Sequence, residues 1–255
     1  RFKGLPSETL MGFNRNQDSS LVKEPIVEND KETGRFTTTN QHNDIYNQKY
    51  SVVTGKYHSK ESEDMQYNYD GTNSWYEPVV RKTETYTVQD DKGLATKELQ
   101  FPTEGKATYT GVAFDSHSQG TLTYNVDFAK KTGQGSIEGL EHIGRLTLDQ
   151  GEIYKSASTG NMRARGNIIA DEWKNIGDIS GGYQLGFYGK NAEEIAGRAT
   201  LRQSQYGAWD SENNTYLSPT KSIRDEVLPP DRYDMNSGTD SFDIGFGGTR
   251  GEIKK

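Results

Sequence analysis

The chain has 255 residues, of which 31% are hydrophobic, and it carries 30 Lys and Arg against 37 Asp and Glu, for a net charge of −7. This charge argues against a nucleic-acid-binding protein, since phosphate contacts need clustered Lys and Arg side chains. The sequence contains no Cys, and therefore no disulfide, thiolate nucleophile or Cys-type zinc site. Its 15 Tyr, 9 Phe and 3 Trp argue against a disordered chain and favour a β fold with one apolar face.

The N-terminal part of the chain changes character near residue 45. Residues 1–36 are polar and interrupted by Gly and Pro, so they predict an extended lead with at most one short strand. Tyr and Val are frequent in Tyr46–His58, which predicts a strand with Gly55 at a bulge or bend. Three more segments complete a small antiparallel sheet that Pro102 ends: Met65–Tyr69, Glu84–Gln89 and, after the turn residues Asp91–Gly93, Leu94–Phe101.

A regular alternation of apolar and polar residues begins at Lys106 and predicts eight strands. Eight antiparallel strands joined in sequence close most naturally into an up-and-down barrel, which has no exposed edge. The predicted fold is therefore all-β, with a lead and small sheet in residues 1–105 and an eight-stranded barrel in residues 106–255. The glycine pairs Gly181-Gly182 and Gly247-Gly248 are expected at tight corners of the barrel wall. The eight predicted strands are Ala107–Phe114, Thr121–Phe128, Gly135–Leu140, Gly144–Leu148 with Glu152–Lys155, Asn161–Ile169, Gly182–Tyr188, Glu194–Leu201 and Ser241–Phe246.

Two groups of aromatic residues lie outside the regular pattern. The connection 203–239 is much longer than the other turns, and a loop of this length is either functional or disordered. Tyr and Trp anchor protein interfaces because they bury a large area at low rotamer cost. The alternative is that the rings close the barrel ends and pack the sheet against the barrel. The residues predicted to bind a protein partner are Tyr206, Trp209, Tyr216 and Tyr233 in the long connection, and Trp75 and Tyr76 beside Tyr67 and Tyr69 at the tip of the sheet.

Five segments of the second half carry a recognisable pattern: Thr108–Phe114 (TYTGVAF), Gly120–Phe128 (GTLTYNVDF), Gly133–Leu140 (GQGSIEGL), Ile179–Leu201 and Phe242–Arg250 (FDIGFGGTR). They resemble the barrel domain of transferrin-binding protein B and of the wider group of Slam-dependent surface lipoproteins and their secreted relatives. The stretch FYGKNAEEIAG within Ile179–Leu201 is the most specific of them. The preceding small sheet is similar to the handle domain that comes before the barrel in this group.

This resemblance implies a non-enzymatic bacterial protein that captures a host-derived ligand. One handle and one barrel are most similar to hemophilin-type proteins, which bind haem, so haem or a host haem protein is the first expected ligand. A second similar branch contains lipoproteins that symbiotic bacteria need to colonise an animal host, and it implies a host protein or glycan bound without a cofactor. The resemblance further implies a Slam-type outer-membrane exporter (type XI secretion), passage through the periplasm, and a place on the cell surface or outside the cell. We expect a monomer.

The four histidines are the candidates for haem ligation, since haem iron in a chain without Cys needs His, Met or Tyr. His117 lies in the turn between the first two predicted barrel strands, at a barrel mouth, where ligand sites concentrate. We predict it as the iron ligand, with His58 at the end of a strand of the sheet as a second ligand. The alternative is that both side chains lie in solvent. His42 and His142 lie in polar or loop contexts and rank lower.

Motifs for other chemistry are missing from the sequence. It contains no HxxxH, HExxH or GxSxG pattern, and Gly245–Gly251 (GFGGTRG) ends a predicted strand with no helix after it, unlike a nucleotide-binding loop. We therefore expect no catalytic residues. A lipocalin-like barrel with its ligand in the lumen is a further alternative, but large rings such as Tyr124 and Phe187 are expected to fill an eight-stranded interior.

Overall fold

The computed structural model describes residues 10–173, 179–204, 209–216 and 239–255. Five strands form the first sheet: β1 (Gly12–Glu28), β2 (Lys31–Asn47), β3 (Ser51–Tyr69), β4 (Ser74–Val88) and β5 (Lys92–Gly93). Eight strands form the barrel: β6 (Lys106–Phe114), β7 (Gln119–Asp127), β8 (Thr132–Glu138), β9 (Leu146–Lys155), β10 (Met162–Ala170), β11 (Ile179–Tyr188), β12 (Glu194–Ser204) and β15 (Thr239–Arg250). A separate pair consists of β13 (Trp209–Asp210) and β14 (Thr215–Tyr216).

The all-β prediction is confirmed, with an antiparallel N-terminal sheet followed by a closed eight-stranded antiparallel barrel. Two short 3₁₀ turns, Glu98–Gln100 and Asp171–Trp173, are the helical elements of the described residues. No helix in this part of the chain has the length and apolar character needed to cross a membrane. Each barrel strand pairs with its neighbour in the chain, and β15 pairs with β6 to close the barrel.

The barrel interior is filled by side chains from the inward-facing positions of its strands. In β7 the side chains of Leu122, Tyr124 and Val126 are buried, and they alternate with more exposed residues. The hydroxyl of Tyr124 lies 3.0 Å from that of Tyr183 on the opposite wall, so these two buried hydroxyls satisfy each other. Phe101, from the segment before the barrel, adds its ring to the same core.

The prediction of an extended lead with at most one short strand is wrong for residues 10–36, the part of the lead that the structure describes. The chain forms a long hairpin of β1 and β2, joined by Asn29 and Asp30, which both have positive φ (49° and 62°) as a two-residue hairpin turn requires. Backbone pairing along most of the ribbon stabilises it, with irregularities between Asp18 and Val22 and between Pro25 and Val27, and such pairing needs no apolar alternation. The sequence pattern therefore gave no sign of it.

Three other predictions for the N-terminal part are wrong. Tyr46–His58 is not one strand, because β2 ends at Asn47 and the Gln48 N–H donates to the Ser51 carbonyl 2.9 Å away in a tight turn before β3. The segment 94–101 forms no ladder strand but two isolated bridges to the barrel and a 3₁₀ turn. Gly55 is not at a bulge, since it pairs in register with both neighbouring strands. A Cβ there would lie 2.2 Å from the Tyr86 hydroxyl, so Gly55 provides space for that ring.

The two glycine pairs do not lie at corners of the barrel. Gly181-Gly182 and Gly247-Gly248 occupy regular positions within β11 and β15. At Gly247 an added Cβ would lie 2.7 Å from the Tyr46 ring, because this ring of the sheet rests directly on the barrel wall. The glycine therefore allows the sheet to approach the barrel closely.

Strands β3 and β4 extend beyond the pairing of β3 with β2. Pairing of β2 with β3 ends at Thr37 and Ser62, whereas β3 and β4 stay paired as far as Tyr69 and Ser74. With a rise of about 3.3 Å per residue, the last seven residues of β3 extend roughly 23 Å farther as a two-stranded ribbon. This ribbon carries Trp75 and Tyr76, two of the residues predicted to bind a partner.

Candidate functional site

The contact between sheet and barrel is partly apolar and partly a network of hydrogen bonds. Tyr46, Val53 and Val88 of the sheet pack with Phe114 and Ala196 of the barrel in one buried cluster. Such burial stabilises the contact by about 25 cal/mol for each Å² of apolar surface removed from water.

A buried carboxylate lies in the same contact. The Glu194 side chain accepts hydrogen bonds from the Tyr50 N–H at 3.0 Å and from the Ser51 hydroxyl at 2.8 Å. Burial raises the pKa of Glu194 above its ordinary value, although these hydrogen bonds oppose the shift. The carboxylate therefore joins the barrel to the sheet but carries a desolvation cost when it is ionised.

His117 lies where predicted, in the turn Asp115–Ser118 after β6, but it faces the sheet. Its Nε2 is 3.1 Å from Glu84 Oε1 of β4, and about a quarter of its side chain is exposed. Tyr57 and His142 lie beside it, with ring centroids 6.0 and 5.9 Å away. One of the two ring nitrogens is thus engaged by a carboxylate.

The structure does not bring His58 to His117. His58 directly follows Tyr57 in β3, so its side chain projects from the opposite face of the sheet, where it is exposed. The histidines near His117 are instead His142 and His42, the two that the sequence ranked lower. In the described part of the chain, no group of three or more His, Asp or Glu side chains has an arrangement that could hold a metal ion.

Sequence reasoning missed a second group, centred on Asp44 of β2. Its buried carboxylate accepts two hydrogen bonds from Arg15 (2.8 and 2.9 Å), one from Tyr86 (2.6 Å) and one involving His42 Nδ1 (3.0 Å). Burial alone would raise the pKa of Asp44, but the hydrogen bonds from His42, Arg15 and Tyr86 outweigh it and lower that pKa. The i, i+2 spacing of His42, Asp44 and Tyr46 could have placed all three on one strand face.

The tip ribbon of β3 and β4 has two distinct faces. Tyr67 lies opposite Tyr76, with ring centroids 5.4 Å apart, and Met65 lies opposite Pro78, so these side chains share one face. We call the exposed face formed by Met65, Tyr67, Tyr69, Tyr76, Pro78 and Val80 the tip face.

The tip face continues the face of β3 that packs on the barrel through Val53 and Tyr57, since all these β3 positions are odd-numbered. Trp75, predicted as a partner of Tyr76 in binding, lies opposite Asn68 on the other face of the ribbon. The structure therefore brings Trp75 and Tyr76 to the same tip but separates them by the thickness of the sheet.

The aromatic residues of the long connection are only partly described. Trp209 and Tyr216 are paired in β13 and β14, and the structure describes their backbone alone. Tyr206 and Tyr233 lie outside the described residues. Binding of a partner by these four residues stays a prediction.

Three open clefts lie on the described surface. One of about 550 Å³ is on the outer face of the sheet, beside Asn14, Asn43 and Lys56. A second of about 540 Å³ lies around the Arg163–Asp91 ion pair, and a third lies along the barrel wall near Lys106 and Lys254. His117 lines none of these three.

The barrel part of the chain matches a known protein family. Residues 99–199 match the family model described as Factor H binding protein, C-terminal. The matched segment begins in the first 3₁₀ turn and runs through β6–β11 into β12. It includes the turn of His117 and ends before β15. The tip face lies outside it.

Proposed function

We propose that this chain is a non-catalytic bacterial binding protein that holds a host protein at the cell surface through the tip face. The observation that carries the proposal is the apolar exposure of that face. Tyr67, Tyr69 and Tyr76 expose 56%, 64% and 66% of their surface, and Met65 and Val80 expose 40% each.

The size of the tip face supports an interface. A Tyr side chain buries on the order of 200 Å² when it is fully covered, so the three tyrosines leave roughly 400 Å² for a partner. This area is within the range of the largest apolar patch on a monomeric protein, which is often a binding site. Two adjacent tyrosines at the centre of such a patch are typical of the few residues that supply most of the binding energy.

The family match supports a host protein as the partner, and complement factor H is the first candidate because the matched family is named for binding it. The barrel interior supports an external site, since Tyr124, Phe128 and Phe187 are fully buried in a packed core. The surface location and export by a Slam-type exporter are part of the proposal and rest on the resemblance to surface lipoproteins.

Binding of purified factor H to the immobilised protein tests the proposal. The double variant Tyr67→Ser/Tyr76→Ser removes the centre of the tip face and is expected to weaken binding at least tenfold. Trp75→Ser is the matched control, because Trp75 is an exposed aromatic residue (44%) of the same ribbon on the opposite face.

Equal affinities of the double variant and the unaltered protein would refute the role of the tip face. Absence of binding by the unaltered protein would refute factor H as the partner. Circular dichroism and urea unfolding of each variant check that the ribbon still forms.

Haem binding by His117, implied by the resemblance to hemophilin-type proteins, stays a prediction that the local geometry does not favour. The Nε2 atom of His117 is hydrogen-bonded to Glu84, and its ring lies beside Tyr57. His58 is on the far face of the sheet. A hemin titration tests whether the protein binds haem through His117. A Soret shift that disappears in His117→Ala would restore haem as the ligand, and an unchanged spectrum would remove it.

A further inference from the structure

The turn at the end of the tip ribbon fixes the direction of the backbone groups in both of its strands. The Asp70 N–H donates to the Asn73 carbonyl at 3.1 Å, so these two residues form a hydrogen-bonded pair. In an antiparallel ladder, hydrogen-bonded pairs alternate with non-hydrogen-bonded pairs. The even-numbered residues of β3 therefore direct their N–H and C=O groups to β4, and in the ribbon these residues are Asp64, Gln66 and Asn68.

The odd-numbered residues of the ribbon part of β3 direct their N–H and C=O groups away from β4. On that side the pairing of β3 with β2 ends at Ser62, and in the part of the chain that the structure describes no other strand takes the place of β2. The ribbon therefore has a row of backbone donors and acceptors without a partner strand. We call the backbone groups of Met65, Tyr67 and Tyr69 the free edge.

The outer edge of β4 differs from the free edge because it contains a proline. Pro78 lies opposite Met65 in a non-hydrogen-bonded pair, so its missing N–H belongs to the outer edge and not to the ladder. Proline at an edge is one of the devices that prevent pairing with a further strand. Strand β3 contains no proline, so the free edge keeps all its donors. Unpaired backbone of this kind is a template for a strand from another chain.

The charges of the ribbon favour a basic strand at the free edge. Residues 63–80 contain no Lys, Arg or His, and Arg81 just outside them pairs with Asp64 at 3.3 Å. Like charges on adjacent strands destabilise their pairing, so a second copy of this ribbon is a poor occupant of the edge, whereas a basic segment complements it. The acidic side chains of this stretch are Glu63, Asp64, Asp70 and Glu77.

A strand added to the free edge would have two different faces. Met65, Tyr67 and Tyr69 supply both the free edge and part of the tip face. Every second side chain of the added strand therefore lies beside an apolar side chain of the tip face. The side chains between them lie on the other face of the ribbon, beside Asp64 and its polar neighbours. The ribbon thus fits a segment in which apolar and basic residues alternate.

We propose that the protein partner of the tip face binds by adding an extended segment of alternating apolar and basic residues to the free edge of β3. The inference rests on the proposed function, because it names the way in which the tip face holds its partner. In this mode of recognition, backbone hydrogen bonds supply affinity and alternate side chains supply specificity. The tyrosines of the tip face then act together with the backbone of their own strand.

Amide hydrogen exchange measured by NMR tests the proposal, with a peptide of four Val-Lys repeats as the probe. At saturating peptide, the amides of Met65, Tyr67 and Tyr69 are expected to exchange about tenfold more slowly or less, because they enter a ladder. The Tyr76 amide points to the outer edge of β4, so its exchange should not change. A peptide of four Val-Glu repeats is the matched control, because it has the same alternation with the opposite charge and should give no protection.

A proline variant separates the backbone of the free edge from its side chains. Met65→Pro and Met65→Ala both lose the Met65 side chain, but only the proline also removes an N–H of the free edge. The ladder with β4 does not use this N–H, as Pro78 on the opposite strand illustrates. We expect Met65→Pro to bind the Val-Lys peptide roughly fivefold more weakly than Met65→Ala. Ser74→Pro, which places a proline on the outer edge of β4, should bind like the unaltered protein.

Free-edge amides that stay unprotected at saturating Val-Lys peptide overturn the proposal, and so do equal affinities of Met65→Pro and Met65→Ala. Protection without peptide in a protein that sediments as a dimer also overturns it, because the occupant is then a second copy. If Met65→Pro does not fold, the exchange measurement on the unaltered protein decides.

Factor H binding distinguishes failure of this inference from failure of the proposed function. If factor H binds and is lost in Tyr67→Ser/Tyr76→Ser, but binds Met65→Pro and Met65→Ala equally, the tip face stands as the site and strand addition is overturned. If the Val-Lys peptide protects the free edge but factor H does not bind, strand addition is supported and factor H is refuted as the partner.

Discussion

Replacement of Gly247 by Ala tests whether the sheet can pack on the barrel only if position 247 carries no side chain. The added Cβ would lie 2.7 Å from Cε1 of Tyr46 and 2.6 Å from Nε2 of Gln48, whereas ordinary contact begins at 3.4 Å. The Tyr46 ring, only 7% exposed, must therefore move by about 0.7 Å away from the barrel. Protein interiors have little free space, and overpacking of this kind costs about 1–3 kcal/mol.

A double-mutant cycle with Tyr46→Ala separates the cost of the clash between the new Cβ and the Tyr46 ring from a general effect of Ala at position 247. Removal of the ring alone is expected to cost about 3 kcal/mol, as for other large aromatic side chains. It also removes the Tyr46 atoms that the new methyl group meets but leaves Gln48 Nε2 in place, so the double variant should cost more than about 3 kcal/mol and less than the sum of about 5. A coupling of up to about 2 kcal/mol is the quantity that the geometry predicts.

Urea unfolding monitored by circular dichroism gives these free energies of unfolding, provided that the m-value stays constant. Gly251→Ala is the matched control, because a Cβ at Gly251 has no atom within 4 Å and should change stability by less than about 0.5 kcal/mol. If Gly247→Ala is as mild as Gly251→Ala, or if the costs of Gly247→Ala and Tyr46→Ala simply add, the reasoning is refuted.

Two carboxylates of the sheet–barrel contact give further predictions. Glu194→Gln should leave the free energy of unfolding at pH 7 unchanged or raise it by up to about 1 kcal/mol. The reason is that the Gln side chain can still accept hydrogen bonds from Tyr50 and Ser51 but carries no desolvated charge. Marked destabilisation in urea unfolding would contradict this. Asp44→Asn should cost about 3 kcal/mol at pH 7, because it leaves the Arg15 guanidinium without its charged partner. Since folding lowers the pKa of Asp44, the stability difference from the unaltered protein should stay constant above pH 5 and shrink as pH falls below about 4. A difference that grows in acid would show that the carboxylate is not held in its ionised form.

The barrel could be predicted from sequence because its interior imposes a strict pattern. Leu122, Tyr124 and Val126 alternate with Thr123 and Asn125, and the structure buries the first set and leaves the second set partly or fully exposed. Each strand of the closed barrel must fill the same interior, so the alternation recurs along the chain.

The N-terminal sheet could not be predicted in the same way, because much of it has no apolar face. The ribbon of β1 and β2 is stabilised by backbone pairing between polar residues, and its turn at Asn29 and Asp30 lacks the glycine that usually marks such turns. His42 and Asp44 lie inside β2, whereas the sequence pattern predicts a strand that starts only at Tyr46. The Asp44 network was missed for the same reason.

The glycines show a second limit of the sequence. Gly55 and Gly247 both lie in regular ladders, and each is required by a ring from another strand, Tyr86 and Tyr46 respectively. Local patterns predict bulges and corners at such positions, because the partner ring is distant in the sequence and its approach is decided by tertiary packing. The tip shows the same limit. The sequence predicts an aromatic cluster there, but the division of its rings between two faces depends on the pairing register of β3 and β4.

Closure of the barrel between β6 and β15 has a consequence for how the chain acquires its structure. The N-terminal sheet and most of the barrel wall are built from strands that follow one another, so their pairing needs only short loops to close. The pairing of β6 with β15 joins the two ends of the barrel segment and can form only when the last strand is available. Non-local pairings of this kind slow folding. A chain that is made or exported from its N-terminus must therefore keep an open barrel sheet, with two free edges, until its final residues arrive.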